Sequence, residues 1–180
     1  PNIAENGMPG ETKVIYLELK LIADVGLVGY PNVGKSTYLS KVTRANAQIG
    51  DYAFTTLEPQ LGVCYLNPDK FFVIADLPGL IEGASQGKGL GYTFLRHIER
   101  CRVLLHIVDL KRSEDPYQDF VNINNELFHY RSDLLNRKMV IALNKIDEDN
   151  TQEVTDTIKE KVKDKIDVYE ISAKEGKGLY

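Results

Sequence analysis

Residues 29–37 read GYPNVGKST and directly follow the apolar run IADVGLV at 22–28. The spacing Gly29-x-x-x-x-Gly34-Lys35-Ser36 satisfies the full pattern of a phosphate-binding loop, with a strand-like run before it and a helix-forming stretch after it. This constrains the fold tightly. Such a loop works only where a strand ends and a helix begins, because backbone amides and the positive helix end must converge on one anion. Gly29, Tyr30, Pro31, Asn32, Val33, Gly34, Lys35, Ser36 and Thr37 are therefore expected to wrap a nucleotide's phosphates. Lys35 would neutralise the β- and γ-phosphates, and the Ser36 hydroxyl would ligate Mg²⁺.

The rest of the chain supplies what that loop needs. Short β-rich runs recur at 61–66, 71–76, 103–109, 139–143 and 167–171. The first two are joined by NPDK, a proline-bearing turn that suits an antiparallel hairpin. The others are spaced as parallel crossovers require. Asp115 before Pro116 predicts a helix start, with Tyr117, Phe120, Val121, Leu127, Phe128, Leu134 and Leu135 buried along it. Asn150 with Glu153 predicts a capping box for a second helix that buries Val154, Ile158 and Val162. The expected fold is α/β: a mostly parallel six-stranded sheet with helices on both faces.

Two further motifs fall at strand ends. Asp76-Leu77-Pro78-Gly79 closes the run FFVIAD; Asp76 could hold Mg²⁺ through a water and the Gly79 amide could meet a γ-phosphate. The same four residues are also a plain turn sequence, and their weight comes from the loop at 29–37. Asn144-Lys145-Ile146-Asp147 follows MVIAL, and Ser172-Ala173-Lys174 follows DVYEI. Guanine presents two adjacent donors that one carboxylate, Asp147, can accept, whereas adenine would leave that carboxylate unpaired. The Lys145 stem would lie across the ring, and the Ala173 amide would donate to the guanine O6. Between the first motifs, DYAFTTLEP (51–59) holds Phe54, Thr55 and Thr56; either threonine could reach Mg²⁺ and sense the γ-phosphate.

Together GYPNVGKST, DYAFTTLEP, ADLPGLIEGASQGKGLGYTFLRHIER, NKID and SAKEGKGL resemble the central nucleotide-binding domain of the Obg family of ribosome-associated GTPases, in its bacterial branch. The long stretch at 75–100 separates this family from generic Ras-like domains. The resemblance implies a Ras-like fold, slow GTP hydrolysis, Mg²⁺, a GTP/GDP switch, and a role with the large ribosomal subunit during its assembly. It places the Mg²⁺-contacting threonine at Thr56, so that Lys35, Thr56 and Gly79 carry the chemistry. The glutamine that orients water in Ras-like enzymes is replaced here by Leu80, which implies slow intrinsic turnover. In some GTPases resembling this chain, an asparagine at the position of Asn32 helps hold K⁺ beside the phosphates; the alternative is that Asn32 only orders its own turn. Rival readings are a binding module whose hydrolysis merely resets it, and a related ATP-binding protein, against which the intact Asp147 argues.

Bulk properties bound the rest. With 22 Lys+Arg against 26 Asp+Glu, the net charge of −4 argues against a general nucleic-acid coat. Lys88, Arg96, His97, Arg100 and Arg102 form either an RNA-facing patch or, more plainly, a solvated helix face. Cys64 and Cys101 read as reduced core thiols, and His97, His106 and His129 lack zinc-ligand spacing. A cytoplasmic monomer without a membrane span is expected. Residues 1–20 read as a tail from a preceding glycine-rich domain, and 21–180 as a nucleotide-binding domain cut before its last helix.

Overall fold

The computed structural model describes residues 10–15, 23–43, 48–49, 60–77, 98–130, 132–163 and 165–179, without the side chains of 48, 49, 130, 133 and 135. Its strands are β1 (Ala23–Val28), β2 (Gln48–Ile49), β3 (Gln60–Asn67), β4 (Lys70–Asp76), β5 (Cys101–Asp109), β6 (Lys138–Asn144) and β7 (Asp167–Ile171). Its helices are α1 (Lys35–Val42), α2 (Pro116–Tyr130) and α3 (Gln152–Val162), with a 3₁₀ turn at Ser132–Asn136.

One sheet runs in the order β2-β3-β4-β1-β5-β6-β7. β1 lies at its centre, parallel to both β4 and β5, and β6 and β7 continue the parallel half. The hairpin β3–β4 is antiparallel, as its turn implied. All six expected strands are present. The two-residue β2 adds a seventh at the edge, too short to leave an alternation in the sequence.

Helices cover both faces. On one, Tyr38 of α1 borders an apolar groove of about 260 Å³ floored by Val25, Ile74, Leu105, Val140 and Ala142. On the other, Phe120 of α2 and Ile158 and Val162 of α3 close over Val108, Ile141 and Leu143. The carboxyl-terminal halves of these central strands are buried on both sides, which is why they read as continuous apolar runs.

Helix details depart from expectation in three places: α2 ends at Tyr130, so that Leu134 and Leu135 fall in the 3₁₀ turn beyond it, and two single residues differ. Asp115 does start α2, its Oδ1 accepting the Gln118 amide at 3.1 Å. Phe128, however, is exposed, and the core stripe runs through Ile123 and Leu127. The capping box at Asn150 does not form. Asn150 is left-handed at φ 58°, and Thr151 precedes α3 without a side-chain cap. Thr151 instead donates its hydroxyl to the Glu148 carbonyl at 3.2 Å, so the local turn outcompetes the cap.

Neither cysteine is in a disulfide. Cys101 is buried, and burial pushes its thiol up to about 12, the behaviour of an inert core thiol. Among the described residues no helix is long and apolar enough to cross a membrane, and no group of three or more His, Cys, Asp or Glu could hold a metal.

The α1–sheet contact is close at Gly62 of β3. A Cβ there would lie 2.4 Å from Thr43 Cγ2 and 2.8 Å from Leu39 Cδ1. Thr43 cannot turn aside freely, because its hydroxyl donates to the Leu39 carbonyl at 2.8 Å. Gly62→Ala should therefore destabilise the chain by about 1–3 kcal/mol through overpacking. Thermal unfolding would show a melting temperature lower by roughly 2–10 °C.

Candidate functional site

The carboxyl ends of β1, β4, β5, β6 and β7 lie along one edge of the sheet, and the end of β4 with the described loops that leave the others builds the site. β1 ends at Val28, and the chain turns through residues 29–34 into α1. The first helical bond of α1 runs from the Tyr38 amide to the Gly34 carbonyl at 2.8 Å. The amides of residues 35–37 precede it and have no acceptor within the helix, the arrangement that suits an anion.

Gly34 has φ 100°. A Cβ there would fall 2.4 Å from the Asn144 Nδ2, so both its backbone and its neighbour require glycine. Tyr30 and Val33 send their side chains into the core and offer the site only their backbone. Pro31 and Asn32 are exposed, and Asn32 is left-handed at φ 63°.

Lys35 is buried, its Nζ donating to the carbonyls of Gly29 at 3.1 Å and Tyr30 at 3.0 Å. Burial lowers its pKa, and the nearby Asp76 opposes that shift. At the end of β4, Asp76 accepts the Ser36 hydroxyl at 2.5 Å through Oδ2, while its buried Oδ1 has no partner among the described residues. Burial raises the Asp76 pKa, against the Ser36 bond and the Lys35 charge. Leu77 is wholly buried, so its side chain belongs to the core.

The base motifs are stitched to this loop by one side chain. Asn144, the last residue of β6, is 3 % exposed. Its Nδ2 donates to the Val33 carbonyl at 2.8 Å, and its Oδ1 accepts the Ala173 amide at 2.9 Å. The Ala173 amide is thus engaged rather than free to meet a guanine O6. An O6 would have to take that amide from Asn144 or use the next one, of Lys174.

Ser172 is fully buried, and its loop closes through the Ser172 amide to the Lys177 carbonyl at 3.0 Å. Asp147 stands exposed at the rim. The Ser172 hydroxyl, aided by Lys174 and Lys177, holds its carboxyl below the usual carboxylate range. Ile146 turns inward and packs near α3. The result is a cavity of about 150 Å³ that gathers Asn32, Gly34 and Thr37 with Asn144, Lys145, Asp147, Ala173 and Lys174. A larger cleft of about 580 Å³, around Asn124, Lys138 and Lys165, carries none of the motif residues.

Some residues escaped the sequence reading. Lys145 is left-handed at φ 73°, and its ammonium pairs with Asp109 of β5 at 2.8 Å. That bond to Asp109 is the main cause raising the Lys145 pKa. The signal was a carboxylate closing the apolar run VLLHIVD, aligned in register with Asn144. Arg112, just beyond, lies over the Tyr30 ring at 3.7 Å from its centroid. His106 is buried against Phe120 and, mainly through burial, titrates down to about 3, so it stays neutral. Phe54, Thr55, Thr56, Pro78, Gly79, Leu80, Lys88, Arg96 and His97 lie outside the described residues. Of the basic set, Arg102 is exposed and pairs with Asp24 at 3.4 Å.

Residues 24–145 match the family model described as 50S ribosome-binding GTPase. The chain belongs to this family. It is 56% identical to the GTPase Obg of Oceanobacillus iheyensis over 181 residues, covering 99% of this chain and 42% of that protein. The GTPase Obg of Geobacillus kaustophilus is 54% identical with the same coverage. The resemblance to the Obg family drawn from the motifs is thus borne out, for a chain that spans well under half of those relatives. Among solved structures, Aquifex aeolicus Era, as a variant bound to GDP and AlF₄⁻, superposes with a TM-score of 0.63 at 26% identity. That match covers 86% of this chain and 52% of the other. An S. thermophilus NFeoB variant gives 0.66 at 22% identity, over 86% of this chain and 56% of that one, and supports the fold alone.

Asn144 is the residue whose loss should be felt throughout. Asn144→Ala would orphan the Val33 carbonyl and the Ala173 amide, each at a cost of roughly 1–3 kcal/mol. Denaturant unfolding should show a stability lower by about 2–4 kcal/mol with an unchanged slope.

Proposed function

We propose that the chain binds GTP and GDP at this rim, hydrolyses GTP slowly, and works as a nucleotide switch for large ribosomal subunit assembly. The observation that carries this reading is the 150 Å³ cavity, where the phosphate loop and both base loops line one space. The family description and the Obg relatives support the ribosomal part. Residues 21–180 are read as the nucleotide-binding domain of a longer protein, of which residues 1–20 belong to a linker.

The chain's own residues suggest the division of labour. Lys35 and the amides opening α1 would bind the phosphates, with Lys35 exchanging its two carbonyl acceptors for phosphate oxygens. Asp147 would accept the two donors on the guanine edge, and the Lys145 stem would lie against the ring. Asn144 would keep the two halves of the site in register.

The donor set fits Mg²⁺: a hydroxyl and a carboxylate already in contact, and a buried carboxylate oxygen, Asp76 Oδ1, with no other partner among the described residues. Ser36 would hold the ion directly and Asp76 through a water, with Thr56 as the third group implied by the family pattern. Once bound, the ion would neutralise charge on the β- and γ-phosphate oxygens. Thr56 and Gly79 would contact only a nucleotide that retains its γ-phosphate, the basis of the switch.

The base assignment is tested by Asp147→Asn. GDP affinity measured by calorimetry should fall on the order of 100-fold or more, and xanthosine diphosphate should become the better ligand. Unchanged GDP affinity would refute guanine recognition and revive the ATP reading.

The role of K⁺ is tested by single-turnover GTP hydrolysis in KCl against NaCl at equal ionic strength. Asn32 borders the cavity, and Asn32→Gly keeps its left-handed backbone while removing the amide. Faster cleavage in KCl that this variant abolishes is expected; stimulation that survives it would remove Asn32 from the chemistry.

A further inference from the structure

The Asp109 carboxylate sits at the junction of β5, the base motif and the phosphate loop. It is 5 % exposed, and its side chain faces the Lys145 ammonium at 2.8 Å through Oδ2. Its Oδ1 accepts the Lys111 amide at 2.8 Å, which fixes the carboxylate's orientation on its own turn. The Leu110 amide donates to the Asn144 carbonyl at 3.2 Å, locking that turn to the end of β6. Two residues beyond Leu110, Arg112 pairs with Asp119 at 2.9 Å and sits over the Tyr30 ring at 3.7 Å from its centroid, and the Tyr30 carbonyl accepts from Lys35.

We infer that Asp109 is a positioning residue for base recognition, holding the Lys145 side chain where its stem meets the guanine ring. The inference rests on the guanine reading proposed above. Three observations distinguish this contact from an ordinary ion pair. An exposed Lys–carboxylate pair is loose, because two long side chains must give up their freedom to make it. Here the carboxylate is short, buried and fixed by a second hydrogen bond, so only the lysine has to be ordered. Lys145 is also left-handed, a conformation that persists only when the surroundings determine it. Finally, the aligned register places Asp109 beside Asn144, one residue from Lys145. A free Lys145 stem would sample several rotamers, and ordering it on binding would cost affinity. Asp109 removes that cost in advance.

The test uses the whole chain with Mg²⁺ and three probes: GDP, ADP and inorganic pyrophosphate. Asp109→Asn keeps an acceptor for the Lys111 amide but removes the charge that holds Lys145. GDP affinity should fall about tenfold, while pyrophosphate affinity stays within twofold. In a Lys145→Met background, which keeps a stem of similar length without the ammonium, Asp109→Asn should cost nothing further. Equal losses for GDP and pyrophosphate, or the same loss with Met at position 145, would overturn the inference. Should Asp109→Asn fail to fold, Lys145→Met alone decides: it should lose the same tenfold for GDP, and wild-type affinity would sink the proposal. The guanine reading is judged separately, by whether the unmutated chain prefers GDP to ADP.

Discussion

The two hydrogen bonds of the Asn144 side chain hold the site together. Residues 33, 144 and 173 are far apart in the chain: two lie in separate loops and Asn144 ends β6. Each segment has its own local bonds, and the buried amide joins the phosphate end to the base end directly. A side chain with one donor and one acceptor group in fixed geometry suits this role, because it satisfies a carbonyl on one side and an N–H on the other. The requirement for glycine at 34 follows from it: the Asn144 amide occupies the space a Cβ would fill. Motifs that read as separate signatures in the sequence are thus one packed unit.

Around that unit the electrostatics are held off balance. Burial alone pushes Lys35 toward its neutral form and Asp76 toward its protonated form, and each partly offsets the other. The two groups that a nucleotide and its cation would engage are therefore both penalised by their surroundings. Opposite charge brought to each would relieve the penalty. Asp147, by contrast, is exposed and held ionised by Ser172 and two lysines. The phosphate end draws on charge in a poorly solvated setting, whereas the base end draws on hydrogen-bond pattern at the surface.

Much of this was legible in the sequence. Strands buried on both faces announce themselves as apolar runs, and the phosphate loop and base motifs fix spacing and chemistry together. What escaped was tertiary in origin. β2 owes its strand character to pairing with β3 alone, since two residues carry no period. The Asn150 cap failed because that residue is left-handed and the helix starts one residue later, after Thr151. Phe128 sits on the helix's outer side, and a plain count of apolar residues could not tell it from Ile123. The engagement of the Ala173 amide and the Asp109–Lys145 contact depend on how two strands align, which no local pattern encodes. Arg112 over Tyr30 is a meeting of two loops separated by about half the chain.

The strand order also has a consequence for synthesis. β1 is the centre of the sheet, yet its two neighbours begin only at Lys70 and Cys101. At roughly 5–20 residues per second, a ribosome would need on the order of two to ten seconds between making β1 and delivering β4, and longer for β5. Throughout that interval the apolar strand that later carries the phosphate loop has neither edge paired. The part of the chain most central to the finished molecule is the part left waiting longest, a natural client for whatever shields nascent chains at the tunnel exit.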